Sequence, residues 1–280
     1  MKITKHIFLI CFIALTGISL SAQNLDKLSK PIMEEAMKLY KSEMASWYGT
    51  DIFMSEYTDK ERIGGYISYS KDNENICVFY SKDEIPVVIA TIRFDDDFNI
   101  EDAERIFKDR NFTEEEVSLY RLRLKANEII SNDSDFFKRY NDTAFNLIPL
   151  IDKKINKVYV LTGPKINGYM ILGNDYLMNF DKDDELISKK SLHQNILIYE
   201  LESDQAIISS MHNHSKETGD LITVTDICTL MLYGKFTEME SHIVIAEKYV
   251  SIWDMKKNSL TIMKRKAYDK IRNFNPEKSD

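Results

Sequence analysis

The stretch QAIISSMHNHSKETGDLITVTDICTLML, residues 205–232, constrains the fold more than any other part of the chain. It reads as an apolar strand ending in two histidines, a loop of small and polar residues, and a helix opened by an aspartate. In a strand, residues i and i+2 point to the same side. His212 and His214 therefore aim two imidazoles at one point, as a zinc site requires. Asp226 follows His214 by twelve positions, at the start of the helix, and a loop of that length can fold back to bring its carboxylate alongside. Two nitrogens and one carboxylate oxygen, with a position left for water, make a catalytic zinc arrangement.

The neighbouring sequence supplies a frame for that unit. KVYVLTG, GYMILGNDYLMNF, ELISKKSLH and NILIYELE read as successive strands before it, and TDICTLMLYGKF as its helix. HIVIAEKYVSIWDMKKNSLTIMKR gives two or three further strands, and KAYDKIRNF a closing helix. The expectation for this half is α+β, a mixed or antiparallel sheet flanked by helices. The first half begins with an amphipathic helix over 26–47, followed by the strand-like runs GGYISYS, NICVFYS and PVVIATIRFD, which form a small antiparallel meander. TEEEVSLYRLRLKANEIISN places Thr113 and Glu116 at capping-box spacing and continues as a long helix. The polar stretch SNDSDFFKRYNDT marks a boundary, giving an α+β region over 23–144 and a second domain over 145–280.

Residues 1–22 read as a secretory signal peptide: a basic start (Lys2, Lys5), the apolar run IFLICFIALTGISL, and small residues before Gln23. The run is shorter than a bilayer-spanning helix needs. The expected mature protein is exported, periplasmic or secreted, with no membrane contact after cleavage. Its loss of Lys2 and Lys5 shifts the formal charge from −8 to −10. An acidic chain without a basic block argues against nucleic acid as a partner. Cys77 and Cys228 lie in apolar surroundings and are expected as buried free thiols rather than a bridge.

The order His-x-His, loop, Thr-x-x-Asp, helix resembles the JAMM motif of MPN-domain (JAB-type) metallopeptidases. His212 and His214 match the two histidines of that motif, Thr223 stands for its serine, and Asp226 matches its aspartate. The resemblance spans roughly residues 145–270. It implies an MPN-like fold, a Zn(2+) cofactor, and hydrolysis of an amide or isopeptide bond in a peptide or protein. It also implies that Thr223 helps orient the tetrahedral intermediate. Three departures stand out. Ser215 replaces a proline, and the loop after His214 is one residue longer than the family's. NKVYVLTG puts Asn156 where the family has its catalytic glutamate, and an amide cannot take a proton from the attacking water. Glu200 and Glu202, on the strand before the histidines, are the substitutes considered, of which at most one can point inward.

Simpler readings stand beside these. Thr223 and Asp226 have the spacing of a capping box, with an acid favoured at a helix start. His193 and His242 read as hydrogen-bonding or surface residues, His242 being better placed to sit behind the ligands. Glu217 and Asp220 face water, and the acidic run Asp95–Asp97 is a solvated turn. Functionally, the competing reading is a non-catalytic MPN-like module that binds a peptide or protein, favoured by Asn156. A third possibility is that the motif is coincidental.

Overall fold

The computed structural model describes residues 25–201 and 207–273 in full, and the backbone of 4–24. The expected signal segment lies outside the residues whose side chains are described. The chain is mixed α+β and divides into two compact units, one of Ala36–Ala206 with Thr223–Glu238, the other of Met1–Glu35, Ile207–Ile222 and Met239–Asp280.

In the larger unit, helix α1 (Thr4–Glu56) contributes its second half. Ala36, Leu39, Ala45, Ile52 and Phe53 are buried at helical spacing. They face β1 (Ile63–Lys71), β2 (Glu74–Ser81), β3 (Val88–Phe94) and β4 (Glu104–Ile106), an antiparallel sheet in that order. Asp72 and Asn73 both adopt positive φ, 51° and 66°, between the paired Lys71 and Glu74. That is the two-residue turn whose twist suits a hairpin. Phe53 stacks on Phe79 of β2 with ring centroids 3.9 Å apart. Gly49 has no side chain because there is no room for one: a Cβ there would lie 2.8 Å from Cys77 Cβ.

Helix α2 (Glu114–Asn132) carries the expected capping box, with Glu116 N donating to Thr113 Oγ1 at 3.2 Å and Thr113 N to Glu116 Oε2 at 2.8 Å. Leu122, Ala126 and Ile130 of α2 cluster with Leu147, Val158, Val160 and Met178. Those residues belong to a second antiparallel sheet of order β5 (Thr143–Leu150), β6 (Asn156–Pro164), β8 (Tyr176–Phe180), β9 (Leu186–Ser191). Strand β5 was not expected from sequence. Its Pro149 reads as a breaker, and a strand can hold one because β5 is an edge strand.

GYMILGNDYLMNF, expected as one strand, is two. β7 (Tyr169–Gly173) pairs with β10 (Ile196–Glu200) in a separate ribbon, while β8 joins the second sheet. The break falls at Gly173 (φ 98°), where a Cβ would meet Asn195 O at 2.3 Å. Helix α3 (Val224–Tyr233) completes the unit, and its Cys228 and Leu232 join the core of α1, β2 and β3. Cys77 and Cys228 are both free and buried.

The smaller unit holds a mixed sheet of order β11 (Ser209–Asn213), β12 (Ser241–Ile245), β13 (Tyr249–Asp254), β14 (Ser259–Lys264), closed by helix α4 (Arg265–Arg272). β11 and β12 are parallel, and the other neighbours antiparallel. Among the fully described residues no helix is long and apolar enough to cross a membrane.

Candidate metal centre

His212 and His214 belong to the smaller unit. Along β11, Met211 and Asn213 are exposed while His212 is half-buried, and His214 is buried just past the strand end. The pleat thus sends both imidazoles to one side, as their i, i+2 spacing requires. His214 N continues the ladder by donating to Ile245 O at 2.9 Å. The two Nε2 atoms are 3.0 Å apart. Two tetrahedral ligands at ordinary zinc–nitrogen distances stand about 3.3 Å apart, so the pair is close to ligand geometry.

Behind His212 lies a chain of hydrogen bonds that can fix its tautomer. His242, fully buried on β12, has Nε2 2.9 Å from His212 Nδ1 and Nδ1 2.7 Å from Ser210 Oγ. Ser210 Oγ in turn donates to Met239 Sδ at 3.1 Å. With the hydroxyl hydrogen on sulfur, Ser210 accepts from His242 Nδ1–H, and His242 Nε2 accepts from His212 Nδ1–H. The lone pair of His212 then sits on Nε2, the atom facing His214. A ligating imidazole needs this kind of support on its other nitrogen.

His193 and Asp226 belong to the larger unit. Asp226, with no exposed surface, is the third residue of α3 and closes a capping box. Thr223 N donates to its Oδ2 at 3.0 Å, Thr223 Oγ1 to the same oxygen at 2.8 Å, and Asp226 N to Thr223 Oγ1 at 2.9 Å. The hydroxyl of Thr223 is therefore engaged by the acid. Asp226 Oδ1 lies 3.0 Å from His193 Nε2, again near the spacing of two ligands on one ion.

Asp175 approaches His193 from the opposite side of the ring, its Oδ2 3.7 Å from Nδ1. The break between β7 and β8 places it there. Asn174 N donates to Asn195 O at 3.1 Å and Leu192 N to Asp175 O at 2.8 Å, which ties 174–175 to 192–195. Asp175 Oδ1 accepts from Thr162 N at 2.8 Å. Burial pushes the Asp175 carboxyl up to about 6, against the pull of His193. Burial works to lower the His193 pKa, yet the Asp226 carboxylate, helped by Asp175, outweighs it and raises the value to about 9.

Each unit thus carries a pair of donors suited to a metal ion, two imidazoles in the smaller (His212, His214) and an imidazole with a carboxylate in the larger (His193, Asp226). His193 was not among the expected ligands, and it is a buried hydrogen-bonding residue rather than a surface one. Glu200 is exposed at the end of β10, opposite Tyr169. Glu202 lies outside the described residues. Asn156 is engaged by the 181–184 turn, through Asp181 O at 3.4 Å, Asp184 Oδ1 at 3.5 Å and Lys182 Nζ at 3.3 Å.

Comparison with protein-family models, with curated proteins and with solved structures finds no match.

Proposed function

We propose that the chain is an exported zinc-dependent hydrolase acting on amide bonds of a peptide or protein, with His212, His214 and Asp226 as the metal ligands and an MPN/JAMM-like arrangement around them. The observation that carries this reading is the pair of His212 and His214 nitrogens 3.0 Å apart on one side of β11, with His242 Nε2 behind His212 Nδ1 at 2.9 Å. The donor chemistry fits zinc, which takes imidazole nitrogen and carboxylate oxygen. Zinc in such a site supplies Lewis acidity and a nucleophile at neutral pH.

The residues of the chain divide the remaining work. His242 and Asp175 orient the imidazoles of His212 and His193. Thr223 holds Asp226 Oδ2 and so presents Oδ1 to the ion. Glu200 and Glu202 are the candidate proton acceptors, Glu200 exposed at the end of β10 and Glu202 outside the described residues.

A second reading is favoured by His193. If it ligates alongside the other three, a tetrahedral ion has no open position, which is the mark of a structural rather than a catalytic site. The chain is then a metal-stabilised binding module for a peptide or protein. A zinc-loaded full chain incubated with a random peptide pool separates the two. The hydrolase reading expects chelator-sensitive cleavage, reduced at least about 100-fold in both Asp226→Asn and Glu202→Gln. Stoichiometric zinc without cleavage overturns it in favour of the module.

A further inference from the structure

The larger unit contains a cavity of about 990 Å³ that the metal residues do not occupy. Its size is that of a pocket for a small organic molecule. One face of α1 forms a wall, with Glu43, Trp47 and Asp51 following one another at helical spacing.

Glu43 is only 8% exposed, yet it lines the cavity. Asn146 Nδ2 donates to its Oε2, and Asn146 Oδ1 accepts the Tyr66 hydroxyl at 2.7 Å, so the amide is fixed in orientation. Glu43 Oε1 has no hydrogen-bond partner among the described residues. A carboxyl oxygen that no neighbour engages on the lining of a cavity can accept a donor from a ligand. Arg123 does not supply it: its guanidinium lies 4.8 Å over the Tyr66 ring and donates to Leu147 O. Asp51 adds a second acid to the same wall. Arg123 also lines the cavity, so its charged groups are two acids and one base, with the base already engaged by Leu147 O, and the lining favours a cation over an anion.

Beside the acids the lining is aromatic. Trp47 packs against Tyr233 with centroids 5.6 Å apart and against Phe236 at 6.1 Å. Such faces take an apolar body and tolerate a neighbouring positive charge. Burial holds the Glu43 carboxyl up to about 7, even with Arg123 acting to lower it, as expected of an acid that lacks a close counter-ion.

We propose that this cavity binds a small organic amine, a primary ammonium on an aromatic or branched apolar body, with its N–H groups on Glu43 Oε1 and its body against Trp47 and Tyr233. This assignment is independent of the metal centre.

Phenethylamine is a suitable probe, titrated calorimetrically into the full chain at pH 8, with 3-phenylpropionate as the anionic counterpart. The expected result is saturable binding of the amine and none of the acid. Glu43→Gln should weaken amine binding about 10-fold or more, the loss of a charge-assisted hydrogen bond. Phe236→Ala is a second variant that does not threaten the fold, since Phe236 is 45% exposed, and it should weaken binding several-fold. Absence of amine binding, equal binding of the acid, or unchanged affinity in either folded variant overturns the proposal.

Discussion

His242 Nε2 stands 2.9 Å from His212 Nδ1, and no part of His242 reaches solvent. A histidine on β12 thereby engages the ring nitrogen of a β11 histidine that does not face His214. The two strands are parallel, with Ser210 directly opposite His242 and His212 opposite Val244. The relay is thus a product of register as much as of residue type.

Replacing His242 by alanine should therefore lower zinc affinity about 10–100-fold without removing a ligand. Competition of the variant against a chromophoric chelator measures this. The same loss should not appear in His242→Gln if the glutamine amide can accept from His212 Nδ1. Equal affinity in wild type and His242→Ala would remove the relay from the account.

Arg110 and Glu116 form a bidentate ion pair in the larger unit. Arg110 NH1 and NH2 each donate to a different carboxylate oxygen at 2.7 Å, and Tyr69 adds its hydroxyl at 3.0 Å. Glu116 has no exposed surface, and although burial opposes it, Arg110 and the Thr113 backbone hold its carboxyl below the usual range. Arg110→Ala leaves that charge uncompensated and should cost about 3–5 kcal/mol in chemical denaturation. The stability contributed by Glu116 is present above its unfolded pKa and lost as pH falls through the lowered folded one. Acid should therefore unfold Glu116→Gln less steeply than wild type.

Glu43 has the opposite sign. Its folded pKa is raised to about 7 by burial, with Arg123 and Asn146 acting the other way. Tyr66, Cys77, Cys228 and Tyr233 are its other titratable neighbours, and each stays neutral in this range. Stability due to Glu43 is full below the unfolded pKa and lost as pH rises through about 7. The whole effect is of the order of 3 kcal/mol. Urea denaturation at pH 5 and pH 8 should show a larger drop for wild type than for Glu43→Gln, and equal drops would contradict the assignment.

Gly49→Ala sets two effects against each other. Alanine gains about 1 kcal/mol of helix propensity over glycine. A Cβ 2.8 Å from Cys77 Cβ overpacks the joint between α1 and β2, at a cost of about 1–3 kcal/mol. Because the neighbour is a strand residue in the core, packing should win, and the melting temperature should fall. A rise in melting temperature would show that the helix can shift to make room.

What the sequence conveyed was local. The Thr113–Glu116 and Thr223–Asp226 boxes, the Asp72–Asn73 hairpin between β1 and β2, and the shared side of His212 and His214 all follow from spacings of two to four residues. The missing parts are non-local. His193 looks like a lone polar residue until the 174–175 and 192–195 segments are tied by backbone bonds, which sets it between Asp175 and Asp226. Asp175 was hidden in what read as an unbroken strand. Glu43 and Asn146 meet across 103 positions, a separation over which no periodicity speaks.

Metal content tests whether this chain holds zinc through His212, His214 and Asp226. The purified full chain, loaded with zinc and dialysed, should retain about one equivalent, with an absorption-edge spectrum showing only nitrogen and oxygen neighbours at about 2.0–2.1 Å. His212→Ala and Asp226→Ala, each verified as folded, should lose it. A wild-type chain that retains no stoichiometric zinc, or folded variants that keep it undiminished, would contradict the account.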